Sequence, residues 1–130
     1  MKLESTKVTV SKPISYLFDA LIDVQNFEKL MPETIAKFEV LDNESFIFGL
    51  KGMPEIKLKL KDKTPPHQVV LGAASEKLPF TLVSNLVSLS ENETQIQLLF
   101  DGEFNAMMAM MIKGPISKFI ETLSENMHKL

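Results

Sequence analysis

The sequence is notable first for the residues that it lacks. It has no cysteine, which excludes disulfides and thiolate metal sites and fits a reducing compartment. All 14 basic residues are lysines, so no guanidinium is available for bidentate contacts with phosphates or guanine edges. Tryptophan is absent and there is one tyrosine, which leaves few platforms for base stacking. We therefore predict no nucleic-acid partner.

The chain also lacks the segments that direct proteins to or through membranes. Residues 1–5 have no apolar core of the kind found in signal peptides, and no apolar run is long enough to span a bilayer. With 130 residues and a net charge of −3, the composition is typical of a globular domain. We predict a single cytoplasmic domain covering residues 1–130, without stable membrane insertion and either monomeric or homodimeric.

Apolar residues at helical spacing predict a pair of short helices near the N-terminus and one long helix at the C-terminus. Ser11 and Asp23 can cap the two short helices, and Pro32 ends the second. Asn105 can cap the last helix, which is interrupted by a proline and is predicted to extend to about Lys129. Its apolar stripe consists of Met108, Ile112, Ile116, Phe119, Leu123 and Met127.

Between the helices, and once before them, apolar residues recur at every second position. The first such segment covers residues 4–10, and the others fill most of residues 36–104 with short polar turns between them. The clearest one alternates Ile56, Leu58 and Leu60 with lysines, which predicts a strand with one solvated face. We count seven strands, and the short turns require antiparallel neighbours.

The order of these elements predicts an α+β fold with a seven-stranded curved antiparallel sheet, a long C-terminal helix, and two short helices between strands 1 and 2. Three local features carry a resemblance: residues 12–14 (KPI) opening the first helix, residues 23–32 closing the helical pair, and residues 104–120 (FNAMMAMMIKGPISKFI) entering the last helix. In these features and in element order the chain resembles the START, Bet v 1-like and polyketide-cyclase (SRPBCC) superfamily. That resemblance implies the helix-grip fold, in which the sheet wraps around the last helix and leaves a cavity.

The resemblance also implies the function that we expect, which is binding or transport of an apolar small molecule such as a lipid or polyketide. Two alternatives stay open. The cavity could serve a cofactor-free cyclase, dehydratase or hydrolase, or the domain could be a co-chaperone-like module that interacts with proteins through an exposed apolar patch. No catalytic residue can be identified from the sequence, and no cofactor is predicted. His67 and His128 lack partners at metal-ligand spacing, so no metal site is predicted either.

Candidate ligand-binding residues are the inward-facing strand positions together with one face of the last helix. The cluster Met107, Met108, Met110 and Met111 covers more than one face of that helix, and flexible thioethers can serve either as core filler or as an adaptable cavity wall. Ser84 and Asn85 lie on opposite faces of one strand, and whichever points inward could orient a polar group of the ligand or make a structural hydrogen bond. The predicted ligand-binding residues are Phe46, Phe48, Leu58, Asn85, Leu98, Phe100, Met108, Met111 and Ile112.

Overall fold

The computed structural model describes residues 1–51, 55–73 and 80–130. These residues form eight strands, three α-helices and two short 3₁₀ turns, Val24–Asn26 and Asn126–Lys129. The strands are β1 (Lys2–Glu4), β2 (Val8–Val10), β3 (Ile35–Val40), β4 (Ser45–Leu50), β5 (Ile56–Thr64), β6 (Gln68–Ala73), β7 (Phe80–Ser90) and β8 (Glu93–Gly102). The α-helices are α1 (Ile14–Ile22), α2 (Phe27–Leu30) and α3 (Ala106–Glu125).

Two of the three predicted helix caps are confirmed. The Asp23 side chain accepts a hydrogen bond from the backbone N–H of Gln25. The Asn105 side chain accepts one from the N–H of Met108 over 2.8 Å, which satisfies one of the free donors at the start of α3. The prediction for Ser11 is wrong, because α1 begins at Ile14 and Pro13 precedes it without any side-chain cap.

The strands form one antiparallel sheet in the order β1-β8-β7-β6-β5-β4-β3, with β2 also paired to β8. The predicted meander and antiparallel pairing are therefore confirmed. The predicted number of seven strands needs a correction, because two short strands, β1 and β2, replace the single strand predicted for residues 4–10, and they pair with different parts of β8.

Ser5 explains the division of the first strand. Its backbone N–H donates to the carbonyl oxygen of Leu98 over 2.8 Å, and its hydroxyl accepts from the N–H of Leu98 over 2.9 Å. Thr6 then turns outward, and its backbone N–H and its hydroxyl both donate to the Glu121 carboxylate on α3. A serine side chain thus occupies a place in the ladder that a backbone carbonyl normally fills, and the strand resumes at Val8.

Strand periodicity predicts correctly which side chains face the core. Phe46, Phe48, Leu58, Leu98 and Phe100 are all buried. The lysines of β5 face solvent, as the alternation in that strand predicts. They lie on the outer face of the sheet, where the side chain of Lys61 lies over Gly72.

Helix α3 packs against the inner face of the curved sheet, and its buried side chains join those of α1, α2 and the strands in one hydrophobic cluster. Asn126, just beyond α3, donates from its side chain to the carbonyl oxygen of Leu30 over 3.0 Å, which ties the end of α3 to α2. The end of α3 is thus fixed against α2 as well as against the sheet. No helix within the described residues is long and apolar enough to cross a bilayer.

Candidate ligand cavity

A cavity lies between the inner face of the sheet and α3. It has a volume of about 30 Å³, which is small beside the pockets that hold drug-sized ligands. All of its lining side chains are apolar: Phe48, Ile56, Leu58, Phe80, Leu82, Phe100, Phe104, Met108, Ile112, Ile116, Phe119 and Ile120. Strands β4, β5, β7 and β8 supply one wall, and α3 with the residues before it supplies the other.

Two groups of stacked aromatic rings form much of the cavity wall. On one side the rings of Phe48 and Phe119 stack with their centroids 4.7 Å apart and their planes 9° apart, which joins β4 to α3. On the other side Phe100 lies between Phe80, at 5.2 Å, and Phe104, at 6.2 Å. Such offset contacts add stability beyond the area that they bury. The cavity is therefore bounded by aromatic rings that pack on one another across the sheet and α3.

The stacked rings of Phe80, Phe100 and Phe104 require a glycine at position 102. A Cβ atom at this position would lie 2.4 Å from Cε2 of Phe104 and 2.9 Å from Cβ of Phe80. Real Cβ atoms do not approach that closely, so only glycine lets the Phe104 ring fold back over the end of β8. This glycine thereby places Phe104 in the cavity wall.

The first two turns of α3 lie at the edge of the cavity and leave several large apolar side chains exposed. Met108 is half-buried and lines the cavity. Met107, Met110 and Met111 are 75%, 84% and 67% exposed, respectively. The prediction that some of the clustered methionines project away from the main stripe is therefore confirmed.

Of the nine residues predicted to contact a ligand, the structure brings five together around the cavity: Phe48, Leu58, Phe100, Met108 and Ile112. Phe46 and Leu98 are fully buried but lie outside the lining. Each precedes a lining residue, Phe48 or Phe100, by two positions on its strand, which is about 6.6 Å deeper toward the α2 side. The Phe46 ring contacts Phe27 instead, at 5.2 Å.

Asn85 and Met111 lie on surfaces that do not face the cavity. The alternation of β7 turns Ser84 inward and Asn85 outward, where the Asn85 side chain accepts a hydrogen bond from Gln68 over 2.9 Å. Met111 projects into solvent because it lies about 100° around the helix from Ile112, the next residue, which lines the cavity. Neither residue can touch a molecule in the cavity as it stands, and ligand contact by any of the nine stays a prediction.

Seven lining residues were not among the predicted ligand contacts: Ile56, Phe80, Leu82, Phe104, Ile116, Phe119 and Ile120. Ile116 and Phe119 belong to the same apolar stripe as Met108 and Ile112. The stripe in the sequence could therefore have identified them as lining residues. Phe80 and Phe104 lie at the ends of β7 and β8, where the sequence pattern does not tell whether a ring turns back over the core or away from it.

The cavity contains no titratable side chain in the described part of the chain, and the charged groups lie on the outer surface. Lys37 pairs there with Glu55 at 3.3 Å and with Glu39 at 3.8 Å. In the turn between β3 and β4, the backbone N–H of Glu44 donates to the Asp42 carboxylate and lowers the pKa of that group below its usual value. The lining can therefore surround an apolar group, and its described residues supply no side chain that donates or accepts a proton.

The two histidines lie apart from each other and from the cavity. His67 is exposed in the turn between β5 and β6, and His128 lies within 2.7 Å of the carbonyl oxygen of Glu125 near the C-terminus. Within the described ranges, no three histidine, aspartate or glutamate side chains are grouped closely enough to hold a metal ion.

Together, the curved antiparallel sheet, the paired short helices and the long C-terminal helix over an apolar cavity are the helix-grip fold of the START and Bet v 1-like superfamily. The resemblance inferred from the sequence is thus confirmed at the level of the fold. Solved structures with this fold include a START superfamily protein from Mycobacterium smegmatis, with a TM-score of 0.71 and 12% identity over 98% of this chain and 94% of that one.

Two further similar structures are enzymes or come from biosynthetic pathways. Norcoclaurine synthase from Thalictrum flavum, solved in complex with dopamine and hydroxybenzaldehyde, has a TM-score of 0.73 and 9% identity over 99% of this chain and 84% of that one. The di-domain ARO/CYC protein BexL from the BE-7585A biosynthetic pathway has a TM-score of 0.66 and 10% identity, and this chain corresponds to 46% of it. No protein-family model matches the chain, and no curated protein matches it by sequence. These identities establish a shared fold and no shared activity.

Proposed function

We propose that this protein binds and carries an apolar small molecule between its sheet and α3. The observation that supports this most directly is the composition of the cavity, whose twelve lining residues are all apolar. Ligand pockets are mostly apolar hollows inside a preformed scaffold. The similar fold of proteins solved with small molecules bound, such as norcoclaurine synthase, supports the same proposal.

Binding requires the cavity to grow, because pockets for drug-sized ligands usually measure about 300–1,000 Å³. The structure offers a place where growth costs little. The first two turns of α3 hold the cavity edge through Met108 and Ile112, while the neighbouring methionines make few contacts with the rest of the protein. The flexible thioether side chain of Met108 can rearrange around ligands of different shape.

The cofactor-free cyclase, dehydratase or hydrolase that the sequence left open is less well supported. General acid–base catalysis needs a side chain that can exchange a proton within hydrogen-bond reach of the substrate. Among the residues that the structure describes, the cavity lining offers none. The third alternative was a module that interacts with proteins through an exposed apolar patch. The exposed methionines would support it if the cavity is found to bind no small molecule.

Titration with Nile red, an uncharged dye that fluoresces in apolar surroundings, tests the proposal with a matched pair of variants. Met108→Trp places a large ring in the cavity edge and is expected to weaken dye binding at least tenfold. Met111→Trp makes the same change three residues away on the solvent side and is expected to leave binding unchanged. The proposal fails if the parent protein binds no dye, or if the two variants weaken binding equally.

A further inference from the structure

A second hollow, open to solvent, lies beside the cavity. It measures about 320 Å³ and is formed where the segment after α2, the end of β4 and the middle of α3 meet. We call it the lysine groove. Its lining residues are Pro32, Thr34, Leu50, Lys51, Pro115, Lys118, Phe119 and Thr122.

Phe119 connects the groove to the cavity, because it lines both. Its ring stacks on Phe48 inside, and Leu50, two residues further along β4, lines the groove outside. Its ring therefore lies at the boundary between the two spaces. The groove is therefore a route by which one end of a cavity ligand could reach solvent.

The charge in the groove has one sign. Of the residues that the structure describes, Lys51 and Lys118 line it and no carboxylate does, although the whole chain has a net charge of −3. Glu33, between two lining residues in sequence, is not part of the lining. Among the residues that the structure describes, the ion pairs are those of Lys37, so neither Lys51 nor Lys118 has a carboxylate within 4.0 Å there. An ammonium group at such a position favours an anion by simple Coulomb attraction.

We propose that the natural ligand is an amphiphile with a single anionic head group. The head, a carboxylate or a phosphate, lies in the groove near Lys51 and Lys118. The alkyl or acyl chain passes Phe119 into the aromatic cavity. This inference rests on the proposed binding function and adds the ligand class, the position of the head group and the direction in which the ligand lies.

The chemistry of the two spaces agrees with this division. The described residues give the cavity no polar side chain to satisfy a head group, and leaving an ionised carboxylate there without a partner would be strongly unfavourable. In the groove the head group stays in contact with water and lies close to the ammonium groups of Lys51 and Lys118. Each exposed ion pair is worth little singly, so the two lysines together are expected to contribute a factor of about ten in affinity.

The test compares two ligands of equal chain length, dodecanoate and dodecanol, in displacing Nile red from the protein below their aggregation concentrations. The parent protein is expected to bind dodecanoate about tenfold more tightly than dodecanol. This preference should decrease as salt is added, because the head group and both lysines are exposed to solvent. Equal affinities for the two ligands would overturn the inference.

Matched double variants separate the groove from a general effect of charge. Lys51→Met with Lys118→Met keeps two unbranched side chains and removes two charges, and it is expected to abolish the preference for dodecanoate. Lys57→Met with Lys59→Met removes the same charge from the outer face of β5 and should keep the preference. Equal losses in both variants would overturn the inference while leaving the binding function standing. If the parent protein binds neither Nile red nor dodecanol, the proposed function itself fails.

Discussion

The two halves of α3 are built from similar apolar residues and are used differently. In the C-terminal half, Phe119 and Leu123 are buried against the sheet and against α2. In the N-terminal half, three of the four clustered methionines are exposed, and the contact with the sheet depends on Met108 and Ile112. One half therefore anchors the helix, and the other leaves room for change beside the cavity. An apolar helix stripe in the sequence does not by itself distinguish these two uses.

The largest expected effect tests the anchoring half. Phe119→Ala should lower the free energy of unfolding by about 3–5 kcal/mol, because it removes a buried ring that stacks on Phe48. Met110→Ala in the other half should change it by no more than about 0.5 kcal/mol, since that side chain is in solvent. Denaturant unfolding of both variants measures the difference. Losses of similar size would show that the two halves of α3 are held equally tightly.

The second prediction concerns Pro115, which lies at the junction of the two halves. Proline has no N–H for the carbonyl oxygen of Met111, and its ring crowds the preceding turn. Pro115→Ala should restore the hydrogen bond and raise the free energy of unfolding by up to about 3 kcal/mol. If the two halves must move relative to each other for a ligand to enter, the same variant should bind Nile red more slowly.

Pro13→Ala is the control for this prediction. Pro13 precedes the first turn of α1, where a missing N–H interrupts no helical hydrogen bond, so little change in stability is expected. A Pro115→Ala protein no more stable than the parent would show that the helix already accommodates the proline without strain. The junction would then be no weaker than the rest of α3.

The sequence predicts the direction in which side chains point better than their depth in the molecule. Alternation places Phe46 and Phe48 on the same inner face of β4, and both are buried. Only Phe48 lines the cavity, because depth along a strand depends on how far the curved sheet and α3 diverge there. That divergence is set by tertiary packing, which local periodicity does not encode. The same limit explains why Leu98 was predicted to line the cavity beside Phe100.

The periodicity of the sequence also did not predict one side-chain hydrogen bond that changes the secondary structure. Residues 4–10 alternate well enough to predict one continuous strand, yet Ser5 bonds through its side chain to the backbone of Leu98 and divides it. Asp23 and Asn105 follow the usual capping pattern and were predicted correctly. The helix and strand types were predictable because many residues contribute to each. The exceptions depend on single side chains whose partners are distant in sequence.

The last prediction tests the aromatic wall beside the open half of α3. Gly102→Ala should lower the free energy of unfolding by about 1–3 kcal/mol, as is typical of overpacking, because the new methyl group would collide with Phe104 and with Cβ of Phe80. Gly49→Ala is the matched control on β4, where the nearest atom to a new Cβ, on Lys37, is 3.6 Å away. That change should be neutral or slightly stabilising, because alanine loses less backbone freedom than glycine on folding.

A second substitution shows whether the collision with Phe104 is the cause. Combining Gly102→Ala with Phe104→Leu shortens the side chain that the methyl group meets, so the double variant should recover part of the loss measured for Gly102→Ala. Thermal or denaturant unfolding of the two single variants and the double variant gives the coupling between the positions. Additive losses would mean that the Phe104 ring does not rest on Gly102. The aromatic wall would then be free to move with the methionine-bearing turns of α3, and the two halves of the helix would differ less than the packing indicates.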